Sequence, residues 1–266
     1  MVSDPDEFGR LLLQRHHCLQ ALETDRHTKR SLVDQLDIPR STLDGIMQDL
    51  EAADLVAYTD GEWHATVLGQ CALHAHEQYR SHLDSLTDIA GLSDALSPKS
   101  PITCDFLVGA DVYEAESTVP DAVLEQLLES VADGQTIRGF TPIAISAYVE
   151  PFYTRAISGQ ESKLELILPP DVFERIRAMY PDQTEEALHR TRVSLLRGSI
   201  PVSFGLWIVD DTHAGLVVYA EQGVCGLIIN DTAEAFSWAE NQYERVKQDA
   251  EPIFLRKGGR HTPRLN

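Results

Sequence analysis

The chain has 266 residues, 43% of them hydrophobic, which is enough to fill two cores and too much for a disordered chain. Its formal net charge is -20, spread along the chain rather than gathered in one tail. The first 90 residues set seven Lys and Arg against sixteen Asp and Glu. Taken alone, that balance argues against nucleic acid, because DNA affinity draws heavily on cations that neutralise phosphate.

From Phe8 to Leu22 the apolar residues Leu12, Leu13, Leu19 and Leu22 recur at helical spacing and predict a first helix. Thr28 is placed to cap a second, short helix running to Leu36, with Leu32, Val33 and Leu36 turned inward. After the turn Asp37-Ile38-Pro39, the segment Arg40 to Ala53 sets Leu43, Ile46, Met47 and Leu50 on one helical face. Two short strand-like runs, Leu55 to Tyr58 and Trp63 to Ala65, then flank Asp60-Gly61, a dipeptide suited to a tight hairpin turn. Helix, helix, turn, helix and hairpin in this order predict a winged helix-turn-helix over residues 1–66; a three-helix bundle with an incidental hairpin is the plainer alternative.

On the third helix, Ser41, Gly45, Gln48 and Ala52 face away from the core, with Arg40 and Thr42 near its start. Small residues permit close approach to DNA, Ser41 and Thr42 have hydroxyls for phosphate, and Gln48 matches an adenine edge. The candidate DNA-contacting set is Arg40, Ser41, Thr42, Gly45 and Gln48, with Lys29 and Arg30 from the second helix. Asp44 opposes it by repelling phosphate, and Gly45 weakens the helix by roughly 1 kcal/mol relative to Ala. High salt relieves the general repulsion, since charges are screened within ~3 Å at about 1 M.

His27-Thr28-Lys29 with Asp34 matches H-x-K-x(4)-D, the motif of phospholipase D-like phosphodiesterases. Those enzymes bring two copies together at one site; this chain has one, at the start of a helix in the DNA-binding unit, so the pattern reads as a cap with surface charges.

Residues 67–100 read as a connector helix and linker. Leu68, Ala72, Ala75, Tyr79, Leu83, Leu86 and Ala90 recur at nearly heptad spacing, a stripe for a second copy of the chain or for its own first helix. Cys71 and His74 share a helix face, but His76 points elsewhere and no fourth ligand is evident, so no metal site is expected. Cys18, Cys71, Cys104 and Cys225 form no C-x-x-C pair and read as small buried side chains in a reducing compartment. No apolar run is long enough for a membrane, and the N-terminus lacks the order of a signal peptide, so the expected location is cytoplasmic.

Residues 101–252 change to strands alternating with helices, a mixed α/β sandwich. Strands are predicted at 103–109, 136–140, 163–168, 192–196, 204–209, 214–219 and 224–229, the last three as an antiparallel meander. Helices are predicted from near Pro120, Ser146 and Asp171, and Lys163 to Leu168 reads as a strand with one wetter face. Asp231-Thr232-Ala233-Glu234 reads as a capping box for a final helix. Residues 253–266 form a basic tail with Arg256, Lys257, Arg260 and Arg264.

A ligand site in such a sheet lies beyond strand ends, which nominates Phe140, Thr141, Tyr148 and Asp210. Arg190, Arg192 and Arg197 are rare cations here and are suited to a phosphate or carboxylate, or to surface ion pairing. There is no Walker loop, H-E-x-x-H or G-x-S-x-G, so binding without turnover and without a cofactor is expected.

Ile38-Pro39-Arg40-Ser41-Thr42-Leu43 and Asp49 to Val56 resemble the archaeal winged-helix regulators. Thr118-Val119-Pro120-Asp121, Arg138 to Pro142, Phe204 to Asp210 and Ile229 to Ala235 resemble the effector domain of archaeal methanogenesis-type regulators, with haloarchaeal members closest in style. The resemblance implies a dimeric transcription regulator acting on double-stranded promoter DNA, with a C-terminal fold distantly like phospholipase D domains. By analogy, the effector is a small metabolite such as a sugar or sugar phosphate. The competing readings are a phospholipase D-like phosphodiesterase and a protein-interaction adaptor that has lost DNA binding.

Overall fold

A computed structural model describes residues 4–97, 99–116, 118–159, 161–220 and 223–253, without the side chains of Pro120 and Asp121. The basic-tail cations Arg256, Lys257, Arg260 and Arg264 lie outside the described residues. The chain divides into two units, Met1–Asp84 and Ser85–Asn266, a boundary that falls inside the segment read as connector.

The first unit is built on α1 (Pro5–Gln20), α2 (Lys29–Leu36) and α3 (Arg40–Ala52), followed by β1 (Val56–Thr59), β2 (Glu62–Ala65) and the start of α4 (Val67–Asp88). Local chemistry sets each boundary. Asp4 caps α1 by accepting the Asp6 amide at 3.0 Å, and Thr28 Oγ1 caps α2 by accepting the Ser31 amide at 3.2 Å. Asp37, in left-handed backbone at φ 50°, ends α2, and Pro39 leads into α3. Asp60 (φ 56°) and Gly61 (φ 91°) both take the positive φ that a two-residue hairpin turn demands, and they set the register from Val56↔Ala65 to Thr59↔Glu62. The His27 backbone bridges to Trp63 on the other edge of β2, adding a one-residue third strand to the hairpin.

Leu43, Ile46, Met47 and Leu50 of α3 are buried with Leu12, Leu19, Leu32 and Leu55 in one core. Each such side chain contributes about 1.5–3 kcal/mol, which outweighs the roughly 1 kcal/mol that Gly45 costs the helix.

The second unit contains α5 (Cys104–Leu107), β3 (Asp111–Glu114), α6 (Leu124–Val131), β4 (Thr136–Phe140), α7 (Ser146–Ala156) and β5 (Lys163–Leu168). There follow α8 (Pro170–Met179), α9 (Pro181–His189), β6 (Val193–Arg197), β7 (Phe204–Val209), β8 (His213–Ala220), β9 (Gly223–Asn230), α10 (Ala233–Lys247) and β10 (Glu251–Pro252). One eight-stranded sheet runs in the order β10-β6-β5-β4-β7-β8-β9-β3. Strands β4, β5 and β6 are parallel, joined by helical crossovers, while β7, β8 and β9 form the expected meander. One sheet face packs Phe140, Phe204 and Leu216 against Phe106 and the α10 residues Trp238 and Tyr243. The opposite face packs Ile137, Leu164 and Trp207 against α6, α7 and α9.

Four expectations change. Residues 103–109 are not a strand: Cys104–Leu107 form a helical turn, because Phe106 sinks fully beside Trp238 at a ring separation of 4.7 Å. The Asn230 side-chain amide then holds the carbonyls of Phe106 (2.9 Å) and Val108 (2.8 Å), and the strand begins only at Asp111. Helix α9 had no counterpart among the predicted elements. The final helix is capped by Thr232 Oγ1, which accepts the Ala235 amide at 3.3 Å; Asp231 is not the cap. Last, Lys163 at the start of β5 is exposed, but Glu165 does not face solvent freely. Lys247 Nζ of α10 reaches Glu165 Oε1 at 2.5 Å, the Tyr243 hydroxyl donates to the same carboxylate, and Arg138 pairs with Glu240 at 2.5 Å.

Candidate functional site

Two surfaces bring the sequence-nominated residues together. The first is the outward side of α3. Turning the helix by 100° per residue puts Ser41, Gly45, Gln48 and Ala52 at its centre, and all four are exposed. Arg40 and Thr42 are exposed at its N-terminal end, and Arg30 is exposed on α2. The two acids beside this face are each compensated from a neighbouring helix. Lys29 of α2 pairs with Asp44, and Arg15 of α1 pairs with Asp49 at 3.2 Å. Lys29 is therefore half-buried and engaged with a carboxylate, whereas Arg30 and Arg40 make no ion pair among the described residues. A Cβ on Gly45 would meet nothing within 4 Å, so the protein's own packing does not require glycine there.

The residues of the H-x-K-x(4)-D pattern are dispersed into structural roles. His27 Nδ1 lies 3.1 Å from Ser31 Oγ, and Lys29 is held by Asp44.

The second is a cavity of about 180 Å³ in the C-terminal unit, between the sheet face of β4 to β8 and helices α6 to α9. Its walls are almost wholly carbon, with Leu127, Phe152, Leu166, Phe173, Leu195 and Trp207 among them. The strand floor carries Gly139 and Gly205. A Cβ on Gly139 would lie 2.3 Å from the Leu206 carbonyl oxygen, and one on Gly205 3.1 Å from the Tyr219 hydroxyl. Gly139 must be glycine for the two backbones to approach so closely, while a side chain at Gly205 would crowd the phenol and require it to shift slightly.

Polar atoms at the cavity are few and mostly spent. Thr141 Oγ1 lies 2.7 Å from the Tyr219 hydroxyl, Thr184 Oγ1 donates to the Tyr180 carbonyl at 2.7 Å, and the Trp207 indole donates to Ser130 Oγ at 3.0 Å. Burial pushes the Tyr219 hydroxyl up to about 12, so it is neutral at physiological pH. The Tyr153 hydroxyl is sealed from solvent with no hydrogen-bond partner among the described residues, and burial raises its pKa as well.

Of the residues nominated for an effector, Thr141 and Tyr148 line this cavity. Phe140 reaches it only at the edge, its ring being buried on the other sheet face against Phe204. Arg190 is exposed and paired with Glu186 at 2.6 Å, and Arg197 is exposed and paired with Glu251 at 2.8 Å. Arg192 is also exposed, and none of the three arginines lines the cavity. Asp210, at φ 49°, accepts the amides of Gln135 (3.1 Å) and Thr136 (2.6 Å), anchoring the start of β4. Sequence reasoning missed Tyr153, Phe173, Thr184 and Tyr219. The one signal for them was the aromatic cluster Tyr148, Phe152 and Tyr153 on α7.

Residues 120–249 match the family model of the methanogenesis regulatory protein FilR1, middle domain, and residues 7–87 match that of the HVO_A0261 N-terminal domain. The second unit is therefore similar to the middle domain of a methanogenesis regulatory protein, and the first unit to the HVO_A0261 N-terminal domain. The FilR1-type match spans every residue that lines the cavity, and the N-terminal match runs from Glu7 of α1 through α3 and the hairpin. No curated protein sequence matches.

Among solved structures, TrmBL2, an archaeal chromatin protein described with a novel mode of DNA binding, is 10% identical, with 94% of this chain and 100% of that chain covered and a TM-score of 0.43. Nuc, a phospholipase D family member from Salmonella typhimurium, is 9% identical over 55% of this chain and 98% of that chain, with a TM-score of 0.42. Phosphatidylserine synthase from Haemophilus influenzae Rd KW20 is 11% identical over 86% of this chain and 48% of that chain, with a TM-score of 0.40. Likenesses this distant settle neither fold nor activity.

Proposed function

We propose that this chain is a transcription regulator that binds double-stranded promoter DNA sequence-specifically, with residues 1–66 acting as a winged helix-turn-helix and α3 as its recognition helix. The observation that carries the reading is the outward face of α3: a centre of small and amide side chains, exposed Arg40 at its start, and flanking acids compensated by Lys29 and Arg15. Arg40 and Arg30 position phosphate, Ser41 and Thr42 supply hydroxyls, Gln48 reads a base edge, and Gly45 allows close approach.

The α/β unit binds a small metabolite effector without turnover. Commitment of His27 and Lys29 to contacts within the first unit supports binding over phosphodiester hydrolysis. The protein works as a homodimer in a salty cytoplasm; exposed Leu68, Tyr79 and Leu86, at nearly heptad spacing on α4, support self-association.

Fluorescence anisotropy on the protein's own promoter and on genomic fragments, in low and molar salt, tests this function. Specific binding that Gln48→Ala relaxes at one base position is the expected result. Absence of specific binding in every salt would sink it in favour of an adaptor that meets proteins instead.

A further inference from the structure

Building on the effector-domain reading, we propose that the cavity between the sheet and α6 to α9 binds an uncharged, single-ring apolar molecule with one hydrogen-bonding group, a phenol-like ligand, rather than a sugar or a sugar phosphate.

Four observations converge. First, size: about 180 Å³ slightly exceeds the roughly 150 Å³ of an apolar cavity that accepts benzene, so one ring and a substituent fit. Second, chemistry: the walls are hydrocarbon and aromatic from five strands and four helices, and the polar atoms of Thr184 and Trp207 already have protein partners. Glu150 and Gln183 also border the cavity, but both are exposed, so a sugar seated against the hydrocarbon walls would bury several hydroxyls with few groups to receive them. Third, charge: the arginines that would hold phosphate are committed elsewhere. Arg190 and Arg197 pair outside the lining with Glu186 and Glu251. Although Arg138 borders the cavity through its strand, its guanidinium pairs with Glu240 of α10 on the opposite sheet face. An anion beside Tyr153 would meet in Arg190 a cation already neutralised by Glu186. Fourth, Tyr153 lines the cavity, and its hydroxyl, near the Arg190–Glu186 pair, is closed off from water and without a hydrogen-bond partner among the described residues. A buried hydroxyl left unpaired is costly, and a ligand hydroxyl or carbonyl would satisfy it.

The cavity is also well defended against collapse. Tyr219, fixed by Thr141, stands on the floor that Gly205 leaves open, and Tyr180 ties α8 to the start of α7 through the Ser146 carbonyl at 2.8 Å. The first contact braces the sheet floor and the second ties the helices to one another, so each wall of the space is fixed within itself.

The test is isothermal titration of the full chain with p-cresol, toluene and glucose 6-phosphate. We expect one p-cresol per chain, toluene bound about tenfold more weakly, and no heat from glucose 6-phosphate. Tyr153→Phe should bring p-cresol down to the level of toluene while leaving toluene unchanged, a difference that damage to the fold would not produce. Leu127→Trp, which fills the space, should abolish both. No p-cresol binding to the parent protein would overturn the proposal, as would binding that neither variant alters or glucose 6-phosphate competing with p-cresol. Anisotropy of the ligand-free protein on promoter DNA, run in parallel, separates the two readings. DNA binding without p-cresol binding defeats the ligand assignment alone, whereas p-cresol binding without DNA binding defeats the regulator function alone.

Discussion

Replacing Gly45 by Ala separates what α3 needs in order to fold from what it needs in order to bind. Gly45 lies in the interior of α3, where glycine is about 0.8–1.0 kcal/mol less favourable than alanine. The added methyl would meet nothing within 4 Å, so no packing penalty offsets that gain. The variant should therefore stabilise the first unit by about 1 kcal/mol. Against an RT of about 0.59 kcal/mol, this corresponds to roughly fivefold slower hydrogen exchange in α3 where exchange needs the unit to open. Mass-spectrometric exchange of the full chain reads this locally, without interference from the second unit. The same methyl points away from the core, toward the surface assigned to DNA, and should weaken promoter binding by tenfold or so if the backbone there touches the duplex, at about 1.4 kcal/mol per tenfold. Slower exchange with unchanged DNA affinity would refute the close-approach role. Faster exchange would refute the structural reasoning itself.

Three further outcomes follow from specific contacts. Asp44→Asn frees Lys29 and removes an anion beside the recognition face. Promoter affinity should rise at low salt, the slope of log K against log salt should steepen by about 0.9, and the advantage should vanish at molar salt; an unchanged slope refutes it. His76 is buried, and burial, then His16 and Arg80, hold its pKa below the ordinary histidine range, opposed by Glu77. The unfolded chain thus takes up a proton more readily, so this stabilisation is complete above the unfolded pKa of about 6.5 and is lost as pH falls through the folded value. Urea midpoints of the first unit should drop between pH 7.5 and 5, and His76→Gln should flatten that dependence. Asp210→Ala strands two amides at the head of β4 in a left-handed turn and should cost about 1–3 kcal/mol by urea denaturation. Asp210→Asn tolerates the turn and keeps one of the two acceptors, so it should cost less than Asp210→Ala but not nothing.

What was legible in the sequence was whatever is encoded locally. Thr28 announces α2 through one hydrogen bond three residues away, Asp60-Gly61 fixes the hairpin, and β4, β5 and β7 begin and end where the pattern puts them. The region around Phe106 failed because a short apolar run reads equally as strand or buried turn. What decides it is Trp238 and Asn230, far along the chain. Glu165 misled for a related reason: alternation reveals a polar side of β5 but not that Tyr243 and Lys247 of α10 will cover it. The cavity was hidden most completely. Each of its residues looks like ordinary core from its own element, and the space arises only from how four helices stand off five strands. Thr141 and Tyr148 were found because strand ends are where ligands gather; Tyr153 had no such marker.

The acidity that first argued against DNA takes on a different meaning once the ion pairs of the first unit are known. Lys29 and Arg15 are consumed in neutralising Asp44 and Asp49, which leaves Arg30 and Arg40 near the recognition face for phosphate. Two phosphate contacts per copy, four in the proposed homodimer, give a salt slope of about -3.6, so a tenfold rise in salt costs roughly 4,000-fold in affinity; a basic regulator with eight contacts in all would lose about seven orders of magnitude. A face that relies on close fit and hydrogen bonds has less electrostatic affinity to surrender. On the proposed DNA-binding function, such an arrangement in concentrated salt, where carboxylates elsewhere on a chain of net charge -20 are screened, would keep specific binding while suppressing indiscriminate attachment to DNA.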